Sequence, residues 1–140
     1  MRREFSSKLY YANFFKKLGR SKYLKGVRIE LKVFRILREH GFVVFRHPHS
    51  ATPDLLAWRN GVLYLIEVKS TNKDVIIIDP EQVKCIMSML EFFLNTTIPT
   101  MAFIVVYFSE YDEFGARRVK PVGEPFIMIR RGDHVPELPL

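Results

Sequence analysis

The chain of 140 residues has a single cysteine, Cys85, which rules out an internal disulfide and any thiolate cluster for zinc. It contains no apolar run of 18 residues, and Met1-Arg2-Arg3 is not followed by the apolar stretch of a secretory leader. These absences predict a soluble, cytoplasmic protein with no membrane partner. Internal repeats and low-complexity tracts are also missing. Acidic residues are scarce at one end. Residues 1–50 hold 3 acids against 13 Lys or Arg, a balance of +10, whereas the other 90 hold 12 acids against 9 bases, a balance of −3. A basic half beside an acidic half suits a polyanionic partner such as nucleic acid. With 48% hydrophobic residues and 12 Phe, the chain can bury a real core, most simply as one domain.

The most informative stretch runs from Pro53 to Lys69, PDLLAWRNGVLYLIEVK. Asn60-Gly61 between two apolar runs predicts a hairpin with a type I′ turn, because both central residues tolerate positive φ. A two-residue loop pairs Arg59 with Val62, Trp58 with Leu63 and Leu56 with Leu65, and so sets Asp54 opposite Glu67. Side chains alternate along a strand, so Asp54, Glu67 and Lys69 share one face. Two facing carboxylates repel. A divalent cation would offset that repulsion, and two acids with a lysine suit metal-assisted phosphodiester hydrolysis. A surface hairpin with an incidental Lys69 salt bridge is the other reading.

Upstream, Phe5, Leu9, Ala12, Phe14, Phe15 and Leu18 fall near helical spacing among Lys8, Lys16 and Lys17, predicting a basic amphipathic extension over residues 1–25. It suits a phosphate-contacting arm, a membrane-surface helix, or a helix packed on the main domain. A second helix is predicted from Gly26 to His40, closed by Gly41. Its stripe of Ile29, Val33, Phe34, Ile36 and Leu37 includes Glu30, a costly place for a carboxylate unless it is paired with Arg28 or Lys25, hydrogen-bonded, or bound to a cation. Phe42–Arg46 reads as a strand pairing with the hairpin. It leads into an irregular loop with His47, His49, Ser50 and Thr52, whose polar side chains suit phosphate contact or ordinary loop chemistry. Asp79-Pro80-Glu81-Gln82 has the start signals of another helix, reaching about Asn95. That helix's broad apolar stripe needs a second cover, either a subunit partner or residues 1–25. Met101–Phe108 reads as a central strand, Val119–Val122 and Phe126–Ile129 as shorter ones, and residues 131–140 as an exposed tail.

The series Lys25-Gly26, Glu30, Gly41-Phe42, Arg46, Pro48, Ser50, Pro53-Asp54, Asn60-Gly61, Glu67, Lys69-Ser70 and Glu81-Gln82 resembles the archaeal-type Holliday junction resolvases of the PD-(D/E)xK nuclease superfamily. The resemblance spans roughly residues 24–108. It implies an α/β, restriction-endonuclease-like core over residues 26–130, with a central mixed β-sheet flanked by helices. It further implies metal-dependent resolution of four-way DNA junctions by a homodimer, with Mg²⁺ as cofactor and Mn²⁺ able to substitute. By position, Glu30, Asp54 and Glu67 match metal-binding acids, Lys69 the catalytic lysine, Ser50 a catalytic loop serine and Gln82 a helix glutamine near the site. Lys25 and Arg46 match basic residues at the DNA. Arg28, His47, His49 and Lys73 complete the expected DNA-binding set. Rival expectations are a flap-, nick- or duplex-specific nuclease of the same superfamily and a non-catalytic DNA-binding dimer.

Overall fold

The computed structural model describes residues 22–47, 52–121, 123 and 126–140. The expected amphipathic helix before Gly19, together with His49 and Ser50, lies outside them. Helix α1 spans Lys22–Glu39 and is followed by β1 (Val43–Arg46), β2 (Leu55–Arg59), β3 (Val62–Thr71) and β4 (Val75–Ile78). Helix α2 (Pro80–Leu94) precedes β5 (Thr100–Phe108), β6 (Glu113–Val119) and β7 (Ile127–Arg130).

Five strands form one sheet in the order β1-β2-β3-β5-β6, and β4 pairs with β7 in a separate two-stranded sheet. β3 and β5 are parallel while the other pairs of the large sheet are antiparallel, so the sheet is mixed as expected. Parallel neighbours need a long crossover, here supplied by β4 and α2. Alternating side chains divide the core between two faces. Ile29, Val33 and Leu37 of α1 pack with Ala57, Tyr64, Ile66, Phe103 and Val105 on one. Val83, Ile86 and Leu90 of α2 pack with Leu65, Ile104, Val106, Ile127 and Ile129 on the other. Each such fully buried Leu, Ile or Phe contributes about 1.5–3 kcal/mol.

The hairpin has the predicted register, Arg59 with Val62 through Leu55 with Ile66. Asn60 and Gly61 have φ of 51° and 76°, as a type I′ turn requires. α1 closes on Gly41 (φ 85°), with the Phe42 amide donating to the Leu37 carbonyl and the Gly41 amide to that of Arg38. At the start of α2, Asp79 accepts a hydrogen bond from the Glu81 amide at 3.0 Å, with Pro80 in the first turn.

Several expectations need correction. α1 includes residues 22–25, because Leu24 is buried and extends the apolar stripe backwards. The strand expected from Val119 ends there instead, since β5 turns at Ser109–Asp112 and returns at once as β6. Residues 131–140 are not an exposed tail. Leu138 is buried, and Val135 and Leu140 pack against the α1-side core. On α2 the stripe is wider than the sheet covers, as expected, and Cys85, Phe92 and Leu94 stay exposed.

Candidate active site

β2 and β3 remain paired only as far as Leu55 and Ile66, whereas β3 runs on to Thr71 beside β5 alone. The edge of β3 that β2 leaves behind is where the acids gather. The Asp54 carbonyl accepts from the His47 amide at 2.9 Å, prolonging the β1–β2 ladder by one step. Its side chain turns the other way, and Oδ2 accepts from the Val68 amide at 2.8 Å. Asp54 thus replaces a missing strand partner with its own carboxylate.

Glu67 faces Asp54 from β3 and is only 3% exposed. Its Oε2 accepts a hydrogen bond from the Thr52 hydroxyl at 3.1 Å. Thr52 was expected to contact phosphate or cap the turn; its hydroxyl instead donates to Glu67, from a bend that precedes β2. The Thr52–Pro53 peptide is cis, a feature that residue types alone do not reveal.

Glu30 arrives from α1, at the opposite face. It lies inside the apolar stripe as predicted, with its side chain 16% exposed, but its partner is neither Arg28 nor Lys25. Arg46, at the end of β1, places Nε 2.9 Å and a terminal nitrogen 2.8 Å from Glu30 Oε2. The expected DNA contact Arg46 is therefore also the internal counter-ion of an expected metal ligand.

The electrostatics show an excess of negative charge. Burial, first of all, pushes the Asp54 carboxyl up from 3.8 to about 7, and the neighbouring Glu67 adds to this through hydrogen bonding and like charge. The Val68 amide and a hydrogen bond with Glu30 act in the opposite direction. Glu30 is likewise raised, first by burial and then by the charge of Asp54, against the pull of Arg46. Asp54 thus links Glu67 to Glu30. A site that cannot comfortably ionise all its carboxylates at neutral pH is a site that a cation relieves. Among the described residues no three acidic, imidazole or thiol groups converge tightly enough to hold an ion by themselves. A hard cation that keeps several waters still fits the Asp54–Glu67 pair, because Mg²⁺ is commonly held by one or two carboxylates.

Lys69 is half-exposed on the same face of β3, two residues beyond Glu67. Gln82 lies half-buried in the first turn of α2. Lys25 and Arg28 are exposed on α1, His47 is exposed where β1 ends, and Lys73 is exposed in the turn after β3. The structure brings together Glu30, Arg46, Asp54 and Glu67, adds Thr52, and sets Lys69 further along the same face.

The family model described as archaeal Holliday junction resolvase (Hjc) matches residues 21–112, which include all of these groups. The chain belongs to the archaeal Holliday junction resolvase family. A crossover junction endodeoxyribonuclease of Sulfolobus islandicus rod-shaped virus 1 is 35% identical over 91 residues, covering 61% of this chain and 74% of the viral protein. The crossover junction endodeoxyribonuclease Hjc of Methanocaldococcus jannaschii is 35% identical over 74 residues, 53% of this chain and 56% of that one. The Hjc of Sulfurisphaera tokodaii is 36% identical over 89 residues, 55% of this chain and 62% of its own. The match thus spans little more than half of the two archaeal relatives. In fold, the solved structure of Archaeoglobus fulgidus Hjc, a Holliday junction resolvase, superimposes with a TM-score of 0.62 at 19% identity, covering 76% of this chain and 84% of that one. β7 and the packed C-terminal segment lie beyond the stretch that the resolvase family model matches.

Proposed function

We propose that the chain is a Mg²⁺-dependent endodeoxyribonuclease that resolves four-way DNA junctions, acting as a homodimer in recombination and repair. The observation that carries this is the pairing of half-buried Asp54 with buried Glu67 at the open edge of β3, with Asp54 raised to about 7 and Lys69 on the face of Glu67. Membership of the resolvase family supplies the substrate class.

Asp54 and Glu67 would hold the cation, with Glu30 contributing directly or through water. When bound, the cation would supply Lewis acidity, acidifying water and offsetting negative charge on the phosphate. Lys69 orients the attacking water and holds its ammonium toward the scissile phosphate. Arg46, paired with Glu30 at 2.8 Å, would contact the same phosphate. Ser50, in the loop between β1 and Asp54, and Gln82 are assigned supporting contacts by position in the family. Lys25, Arg28, His47, His49 and Lys73 supply backbone contacts, so recognition rests on charge and junction shape more than on base edges. The exposed Phe92 and Cys85 face of α2 is assigned to the second subunit, which would place two sites on opposed strands.

The test is strand cleavage of a labelled four-way junction beside linear duplexes of its own arms, in Mg²⁺, in Mn²⁺ and in chelator. Paired nicks confined to the junction and to the divalent metals are expected. Equal cutting of linear duplex would keep the chemistry but assign the protein to another nuclease specificity. Tight binding with no cutting in either metal would leave a DNA-binding dimer.

A further inference from the structure

We propose that Thr52 is a positioning residue of the cation site, holding Glu67 by an uncharged donor so that no fixed positive charge competes with the metal for it. The proposal rests on the reading of Asp54 and Glu67 as cation ligands. Glu67 is the one ionisable side chain among the described residues that is buried to 3% exposure. A buried carboxylate oxygen needs a hydrogen-bond donor, which also fixes its orientation. Thr52 Oγ1, 3.1 Å from Oε2, is that donor.

The hydroxyl is itself held in place. Asp54, two residues on, is strapped to β1 through its carbonyl, 2.9 Å from the His47 amide. It is strapped to β3 through Oδ2, 2.8 Å from the Val68 amide. Thr52 therefore enters the site two residues before a fixed point, and its hydroxyl engages one oxygen of Glu67.

The contrast with Glu30 shows why a hydroxyl suits this place. Glu30 is held by the Arg46 guanidinium, which neutralises as it orients. An arginine or lysine at position 52 would do the same to Glu67 and compete with a divalent cation. A threonine fixes the geometry and adds no positive charge. Groups that orient a metal-ligating side chain from behind commonly govern metal affinity by about 10–100-fold.

The experiment is Mn²⁺ and Mg²⁺ binding to the full chain without DNA, by calorimetry, for the wild type, Thr52→Val and Thr52→Ser. Thr52→Val keeps the shape and removes the hydroxyl; it is expected to weaken Mn²⁺ binding by about tenfold. Thr52→Ser restores the donor and is expected to bind within about twofold of the wild type. In junction cleavage, Thr52→Val should need correspondingly more metal for half-maximal rate. If Thr52→Val does not fold, as read by circular dichroism, Thr52→Ala carries the same expectation. Wild-type affinity in a folded Thr52→Val or Thr52→Ala variant would overturn the proposal, as would a Thr52→Ser variant as weak as Thr52→Val. A wild type with no saturable metal binding would instead overturn the reading on which it rests.

Discussion

At the scale of single residues the site is a problem of too many carboxylates. Asp54 is raised in the folded chain to about 7 from an ordinary 3.8. Between those values the folded state binds more protons than the unfolded one, so stability falls as pH rises through this window and levels off above about 7. Glu30 is raised as well and adds to the same slope. A shift of this size corresponds to a penalty on the order of a few kcal/mol at pH 8. Urea unfolding of the metal-free protein should therefore show lower stability at pH 8 than at pH 5. Asp54→Asn should flatten most of that slope, and Mg²⁺ should restore stability to the wild type at pH 8 but not to the variant. A wild type equally stable at both pH values would show that the pair is better solvated than its burial implies. The hairpin register brought Asp54 and Glu67 close in the sequence reading, but the ladder stops one pair short of them, at Leu55 and Ile66, and Asp54 turns its carboxylate to the Val68 amide instead. The Thr52–Glu67 contact and the Arg46–Glu30 pair were not legible there. The first depends on how the chain bends before Asp54, and the second joins the middle of α1 to the end of β1, which only the packed fold brings together.

At the scale of elements, legibility followed the strength of local signals. The Asn60-Gly61 turn, the Asp79-Pro80 helix start and the Gly41 helix stop each rest on a backbone demand that few residue types satisfy. The turn between β5 and β6 has no such marker. Asp112 takes the left-handed conformation there, at φ 50°, and is held by Lys32 of α1 at 3.2 Å and by the Tyr107 hydroxyl. β4 and β7 form a pair distant in sequence; β7 lies one residue beyond the strand expected at Phe126–Ile129, whereas the four residues of β4 were not expected as a strand. The packing where they meet β6 is close. A methyl group on Gly115 would lie 2.9 Å from Phe108 Cε2 and 3.2 and 3.3 Å from the Asp133 and Arg130 carbonyl oxygens. Phe108 is fully buried and cannot simply swing away. Gly115→Ala should cost about 1–3 kcal/mol in urea unfolding. A neutral result would mean that β6 and the following segment separate easily.

At the scale of the whole molecule, charge and exposed apolar surface are the features that the proposed DNA binding and dimerisation would use. The formal charge of +7 is an excess of basic residues in the first 50 positions over a slightly acidic remainder. Junction affinity should accordingly fall steeply with salt, in proportion to the phosphates neutralised. Phe92 is 66% exposed on α2, so replacing it should leave the fold intact. In sedimentation velocity, Phe92→Glu is expected to shift the protein from dimer toward monomer at micromolar concentration, with an unchanged unfolding curve. A variant that remains dimeric would move the interface away from this face of α2. The sequence pattern revealed that the stripe was too broad for one sheet, but not which part would stay uncovered.

Catalysis and DNA binding are assigned to different groups, so one pair of proteins separates them. Wild type and Asp54→Asn would be compared on the same labelled four-way junction, scoring binding by gel mobility in Ca²⁺ and cleavage in Mg²⁺. Asp54→Asn is expected to bind as the wild type does and to lose cleavage by a factor of about 10³ or more, an order typical of removing a central catalytic electrostatic group. Cleavage by Asp54→Asn at close to the wild-type rate would contradict the assignment of the Asp54–Glu67 pair as the catalytic centre.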